Sequence, residues 1–525
     1  MARFDFKDSS FWPYSLIAKR ERDVIENELN AIDLTRSDSI PKIQQFISKY
    51  GHSNLGIYSL ASFENFFLNI AQTYDVECST QYEPDTYLHV ATWLRKVGGT
   101  ARVIERWINN APETEKHSLV IINEESAWSK DDIPQWLYTA VENKNGELIT
   151  FDEGGIIERA LRLRQMASKY DKIILHTQME DPSALIAFGV KSFKRPVILF
   201  NHVDHIFWLG ISIADMVADL RPTDFTTRRR HANQSQYLGL PVEKFTQKAI
   251  TSYEKEAIRK ELGIPQDAFV VVSTGTEPKY TDVGVISFRQ MAQVVVAKTG
   301  GYFYLIGPGE SKTWMRAKER THGKLCPLGI VKDKTLYYKY LRAADVYINS
   351  YCVGGFTASL DAIQSGVPVL ACKFSRQQDY LMWDPFVYCD GACMSEDELI
   401  KKICLLQQDV ILRQDITSRQ LNKVISEFEV NWISRLRNIL QNLPLEHKLH
   451  PFENTPEDSI INDSDVVNLN NYNHGVIAAH RLFCYFMKIC AYIKYHCMYI
   501  HHVHRYPIKY VKYDIKQLIK KISRI

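Results

Sequence analysis

Two separate series of short, nearly continuous apolar runs, each followed by a helical length, most constrain how this chain can fold. In the first series strands are expected at residues 86–94, 119–122, 173–175 and 197–200. In the second they are expected at 269–273, 302–306, 346–349 and 367–371. Apolar runs without polar alternation suit strands buried on both faces, and strands separated by helices pair in parallel. A chain of 525 residues is also too long for one core. We therefore expect an α/β protein of two doubly wound halves, with a ligand held between them at the carboxyl ends of the strands.

The first half is assigned to residues 86–245 and the second to 246–442, closed by a helix at 425–440. Residues 1–85 mix helical apolar spacing (Ile43, Phe46, Ile47; Phe66, Phe67, Ile70) with polar breaks and read as a helical extension. Residues 443–475 are rich in Asn, Asp, Pro and Glu, lack periodicity and read as a linker. Residues 476–525 carry ten Lys or Arg against Asp514 alone, so in a chain of net charge +3 the preceding residues stand at about −6. Within this tail Ile508, Val511, Ile515, Leu518 and Ile522 share one helical face, and Lys509, Lys512, Lys516 and Lys520 another. That is the pattern of an interfacial helix on anionic lipid. The run LFCYFMKICAYIKYHCMYI is interrupted by Lys488 and Lys494 and makes a poor membrane span. No base-reading motif accompanies the basic helices, so nucleic acid is not an expected partner.

Ten cysteines without paired spacing, several inside apolar runs (Cys326, Cys372, Cys404), suit reduced core residues of a cytoplasmic protein. Cys484, Cys490 and Cys497 lie beside His496, His501, His502 and His504, but their spacing fits no zinc pattern. The start MARFDFKDSS has no apolar core of the kind a secretory signal needs.

Four motifs carry chemistry. Gly98-Gly99-Thr100 follows the first strand. VVSTGTEPKY (271–280) ends a strand in small residues, with Thr274 in the loop and Lys279 beyond it. LIGPGE (305–310), containing Gly307, is followed by PLGIV (327–331), containing Ile330 and Val331. Finally, residues 343–372 run strand, Gly354-Gly355 turn, helix with Thr357 and Asp361, strand. A glycine pair before a helix lets the backbone approach a ligand, and the helix start favours an anion such as a diphosphate. A carboxylate one turn inside, Asp361, can accept hydrogen bonds from ribose hydroxyls. By itself the segment is equally an ordinary strand-turn-helix unit with a solvated Asp.

On the opposite half, PVILFNHVDHIFWLG (196–210) places His202, Asp204 and His205 at the end of an apolar strand, facing the expected cleft. An imidazole with a reference pKa of about 6.5 can take a proton from a hydroxyl at neutral pH, and a carboxylate can orient it. His202 with Asp204 is the expected acid/base pair and His205 the competing choice, with His176 and Asp181 of HTQMED as second candidates. Phe207 and Trp208 suit either sugar stacking or core packing. Arg228-Arg229-Arg230 suits an anionic acceptor or solvent.

In order and spacing these motifs resemble GT-B glycosyltransferases over roughly residues 86–442. That resemblance implies two facing Rossmann-like domains, here with a helical N-terminal extension and a basic helical C-terminal tail. It places Gly98, Gly99 and Thr100 over the donor diphosphate and Thr274, Lys279 and Gly307 in the phosphate-binding loops. It puts Ile330 and Val331 at the nucleobase and Gly354, Gly355, Thr357 and Asp361 at the diphosphate and ribose. Bacterial retaining sugar transferases carry two glutamates eight positions apart in this region, where this chain has Val353 and Asp361. GGFTASLDAIQSGVPV instead resembles the corresponding run of inverting protein O-GlcNAc transferases. The implied activity is hexosyl or N-acetylhexosaminyl transfer to a glycan, lipid-linked or protein hydroxyl. The donor implied is a UDP-linked sugar, with no metal or other cofactor, and the expected location is the inner face of the cell membrane. The alternatives are a nucleotide-sugar epimerase of the same fold and a degenerate transferase acting as a membrane-bound scaffold.

Overall fold

The computed structural model describes residues 25–51, 58–94, 99–122, 129–202, 204, 206–222, 231–243, 251–280, 287–351, 354–372 and 390–453. Within them lie two parallel sheets.

The first sheet contains β1 (Glu83–Ala91), β2 (Lys116–Ile121), β3 (Leu148–Thr150), β4 (Tyr170–His176), β5 (Val197–Asn201), β6 (Met216–Asp219) and β7 (Ser235–Tyr237). They lie in the order β3-β2-β1-β4-β5-β6-β7. The second contains β8 (Val270–Thr274), β9 (Tyr302–Ile306), β10 (Leu325–Pro327), β11 (Val346–Ile348), β12 (Val369–Cys372) and β13 (Ala392–Cys393), in the order β10-β9-β8-β11-β12-β13. Each sheet reverses direction once, between β1 and β4 and between β8 and β11, and such a switch point opens a crevice at the carboxyl ends of the strands. The architecture is GT-B, as expected.

The apolar strands formed where they were read, within a few residues. The structure adds the short edge strands β3, β7, β10 and β13 and the inner β6. The expected closing helix is a π-helical turn, Ile425–Val430, continued by an α-helix, Asn431–Gln441. This helix packs back on the first half. Trp432 donates its indole N–H to the Gly239 carbonyl at 3.3 Å and sets its ring edge-on to Trp107 at 5.6 Å. One apolar cluster therefore runs from Trp107, Ile174 and Phe200 through Trp432 to Val272, Tyr347 and Leu360, so the halves share buried surface.

Two stretches do more than expected. The helices Ile40–Tyr50 and Ala61–Thr73 of the extension are part of the first half's own core, with Phe63 and Phe67 fully buried. Glu64, on the second of these helices, accepts backbone hydrogen bonds from Gly210 (2.7 Å) and Ser212 (3.1 Å), fixing the chain beyond β5. The segment read as a linker is docked as far as residue 453. His447 gives one ring nitrogen to Asp215 at 2.7 Å and the other to the Phe188 carbonyl at 3.1 Å. Burial works to raise the Asp215 pKa, but hydrogen bonds to His447 and His450 prevail and hold it at about 2. That buried carboxylate anchors the segment, and Leu449 and Phe452 pack against the first half's core beside it. The basic tail and residues 1–24 lie outside the described residues.

Candidate functional site

The loops at the two switch points face each other. From the second half, β8 ends at Thr274, whose hydroxyl meets that of Tyr347 at 3.0 Å. The chain then turns through Glu277–Tyr280, and the Lys279 ammonium donates to the Gly354 carbonyl at 3.0 Å. Beyond β11, Asn349 accepts the Gly355 N–H at 2.8 Å and pins the glycine turn at the start of the helix Phe356–Gln364. A Cβ on Gly355 would stand 3.8 Å from the Lys279 ammonium. Lysine charge and helix start thus converge on one point, the arrangement that binds phosphate.

Gly307 has φ +118°, and a Cβ there would lie 1.9 Å from the Gly275 carbonyl oxygen, so only glycine lets these loops approach. Its N–H donates to the Gly329 carbonyl at 2.8 Å, tying it to the loop of Ile330 and Val331. Ile330 is 62% exposed, whereas Val331 packs partly against the shared apolar cluster.

From the first half comes the helix Gly99–Asn110. A Cβ on Gly99 would stand only 3.7 Å from the Thr357 hydroxyl, so the two helix starts meet across the cleft. The Thr100 hydroxyl lies 3.2 Å from His202 Nε2, while the His202 ring stacks in parallel over Phe200 and edge-on to Trp208. His202, Thr100, Gly99, Thr357, Gly355 and Lys279 form one neighbourhood. Gly98, His205, Val353 and Arg228 to Arg230 lie outside the described residues.

Two carboxylates have partners that the sequence did not suggest. Asp204 is buried and takes the Arg221 guanidinium at 2.6 Å; that guanidinium in turn lies 5.3 Å over the Phe356 ring of the other half. Asp361 is buried and forms a salt bridge with Arg106 of the Gly99 helix, and accepts the Tyr337 hydroxyl at 3.3 Å. The ribose assigned to Asp361 would therefore share this carboxylate with Arg106. Around the pair, Lys334 meets Glu105 at 3.2 Å and Glu243 at 2.7 Å, while Arg102 meets Glu243 at 3.5 Å. Three cations and three carboxylates thus clasp the halves together beside the site.

Of the second candidates, Asp181 accepts the Thr92 hydroxyl and the Ser183 N–H and ties together the loops after β1 and β4. Phe207 and Trp208 are core residues. Sequence reasoning missed Arg106, Arg221 and the buried histidines His89 and His117. The signal for the histidines was a polar ring inside otherwise apolar strands.

No family model matches this chain, and no curated protein matches it. Among solved structures, it resembles a glycosyltransferase from Rickettsia africae with a TM-score of 0.49 and 12% identity, over 69% of this chain and 100% of that one. It also resembles a Thermobaculum terrenum O-GlcNAc transferase variant, with a TM-score of 0.46 and 13% identity over 77% of this chain and 80% of that one. A third is WaaG, a glycosyltransferase involved in lipopolysaccharide biosynthesis, with a TM-score of 0.42 and 12% identity over 68% and 99%. The class assigned here, a two-domain GT-B protein, stands on the strand orders and the facing switch points.

Proposed function

We propose that the cleft binds a nucleotide sugar and transfers its sugar to a hydroxyl acceptor. The observation that carries this reading is the meeting of the Lys279 ammonium and the Gly355–Thr357 helix start with Thr100 and His202 of the opposite half. A diphosphate on that helix start would have its developing charge stabilised by backbone N–H groups and Lys279, which is the electrostatic work glycosyl transfer needs and which we propose proceeds without a metal. The base would lie against the loops of Gly307, Ile330 and Val331. An ionised carboxylate accepts about four hydrogen bonds, so Asp361 has capacity for ribose beyond Arg106 and Tyr337.

His202 faces this point and is the proposed general base. It would take the proton of the acceptor hydroxyl as the new bond to the anomeric carbon forms and the bond to the diphosphate breaks, the nucleotide leaving with the electron pair. We extend the reading to a membrane-surface location through residues 476–525, on their amphipathic pattern alone. Among the described residues no helix is long and apolar enough to cross a membrane.

The test is incubation with a panel of UDP- and GDP-sugars, with and without glycan acceptors. Release of nucleoside diphosphate that depends on acceptor is expected. An epimerised nucleotide sugar formed without acceptor and without nucleotide release would overturn the transferase reading in favour of the epimerase.

A further inference from the structure

Behind His202, the first sheet carries a row of buried polar groups that the proposed reaction does not use. His89 Nδ1 lies 3.0 Å from His176 Nε2, and His89 Nε2 lies 3.0 Å from His117 Nδ1. His117 Nε2 lies 3.2 Å from the Glu115 carboxylate. All three imidazoles are 1% exposed or less. They climb the sheet as a staircase, since His117 pairs in register with Tyr87 and His176 with Ala91. At about 3.3 Å per residue the four steps from Tyr87 to Ala91 span roughly 13 Å. The row runs from the turn before β2, where the Glu115 side chain is 14% exposed, to the carboxyl end of β4, where the cleft opens.

The end groups set the polarity. A carboxylate can only accept, so His117 Nε2 must carry the hydrogen given to Glu115, and its Nδ1 is bare. His89 Nε2–H then donates to that Nδ1, and His176 Nε2–H donates to His89 Nδ1. His176 Nδ1 is left as a bare acceptor, and it is buried without a hydrogen-bond partner. An orphaned buried acceptor is costly and rare in native interiors. This one sits on the residue ending β4, the strand paired with β5, from which His202 follows, and the His202 ring packs against the same Phe200 that contacts His176. Burial holds His89, His176 and His117 below the usual histidine range, so the row is neutral at pH 7. His202 depresses His176 further, while at His117 the Glu115 carboxylate works the other way without overcoming burial.

We propose that His176, His89 and His117 form a proton relay that drains the cleft to Glu115. The proposal rests on the transferase reading for the source of the proton. A proton taken from the acceptor hydroxyl at His202 passes through a water admitted from the cleft to His176 Nδ1, which has no protein partner. Each ring receives a proton on Nδ1 and releases one from Nε2, and Glu115 takes the last and gives it to solvent. Each ring then turns about its Cβ–Cγ bond to restore the Nε2–H row before the next turnover. Trp107 lies edge-on to both His89 and His176. The three histidines and Glu115 are relay residues, not catalytic ones.

The first arm of the test needs no substrate. In protein labelled with 15N-histidine, the resonances of residues 89, 117 and 176 should all report the Nε2–H tautomer at pH 7. A hydrogen on Nδ1, or an imidazolium in the row, would overturn the relay whatever the reaction proves to be. The second arm uses His117→Phe, which keeps a ring stacked 4.6 Å from Tyr87, and Glu115→Gln, which keeps an acceptor for His117 but cannot take the proton. Both variants should bind nucleotide as the parent does, lose turnover at least tenfold and show a larger solvent deuterium isotope effect. Parental turnover and isotope effect in Glu115→Gln would overturn the proposal even if His117→Phe fails to fold. Absence of transfer by the parent protein would count against the transferase reading, with the tautomers still deciding the relay.

Discussion

Asp361→Ala should destabilise the folded chain by roughly 3–5 kcal/mol, the usual cost of removing one partner from a buried ion pair. The reason is Arg106, which is 1% exposed and whose Nε and Nη1 have no hydrogen-bond partner. Glu243 stands 3.8 Å from this guanidinium, so Asp361 is its closest counter-charge. Burial opposes the Arg106 charge, and the neighbouring carboxylate outweighs that and keeps it ionised. Urea unfolding should show the transition at lower denaturant. Combining Asp361→Ala with Arg106→Met should recover most of the loss, because no charge is then left buried alone. A single variant that unfolds with the parent would mean that the pair contributes nothing to holding the halves together.

His202→Ala should lower sugar transfer by roughly a hundred- to ten-thousandfold, the range for loss of a general base. Nucleotide affinity should hardly change, since the proposed diphosphate site is built from Lys279 and the Gly355–Thr357 helix start of the other half, while the contacts of His202 include Thr100, Phe200 and Trp208 of its own. The measurement is turnover set beside a nucleotide dissociation constant. Preserved turnover with weakened nucleotide binding would move His202 from the chemistry to the donor site.

The sequence revealed these features unequally. Strands such as β4, β5, β8 and β9 were legible because parallel strands covered on both faces are written as apolar runs. The edge strands β3, β7, β10 and β13 were not, since two or three residues hold no period. Lys279 and the Gly354–Thr357 turn could be read locally, as both belong to short motifs at strand ends. The partner of Asp361 could not, because Arg106 is 255 positions away and reaches it only through the packing of one half on the other. Nor could the Arg221 guanidinium on Asp204 be read locally, since it lies 17 positions on in the same half and no motif links the two. The imidazole row depends on the register of three strands, which periodicity does not specify. The docking of residues 444–453 joins the buried acid Asp215 to core contacts of Leu449 and Phe452, neither of which composition reveals.

The central claim, that the cleft holds a nucleotide diphosphate between Lys279 and the Thr357 helix start, is tested most directly by calorimetric titration with UDP, GDP and their sugars, using the parent chain and Lys279→Ala. We predict saturable binding of at least one nucleotide to the parent and a loss of at least tenfold in affinity for Lys279→Ala. Binding by none of them, or equal binding by both proteins, would contradict it.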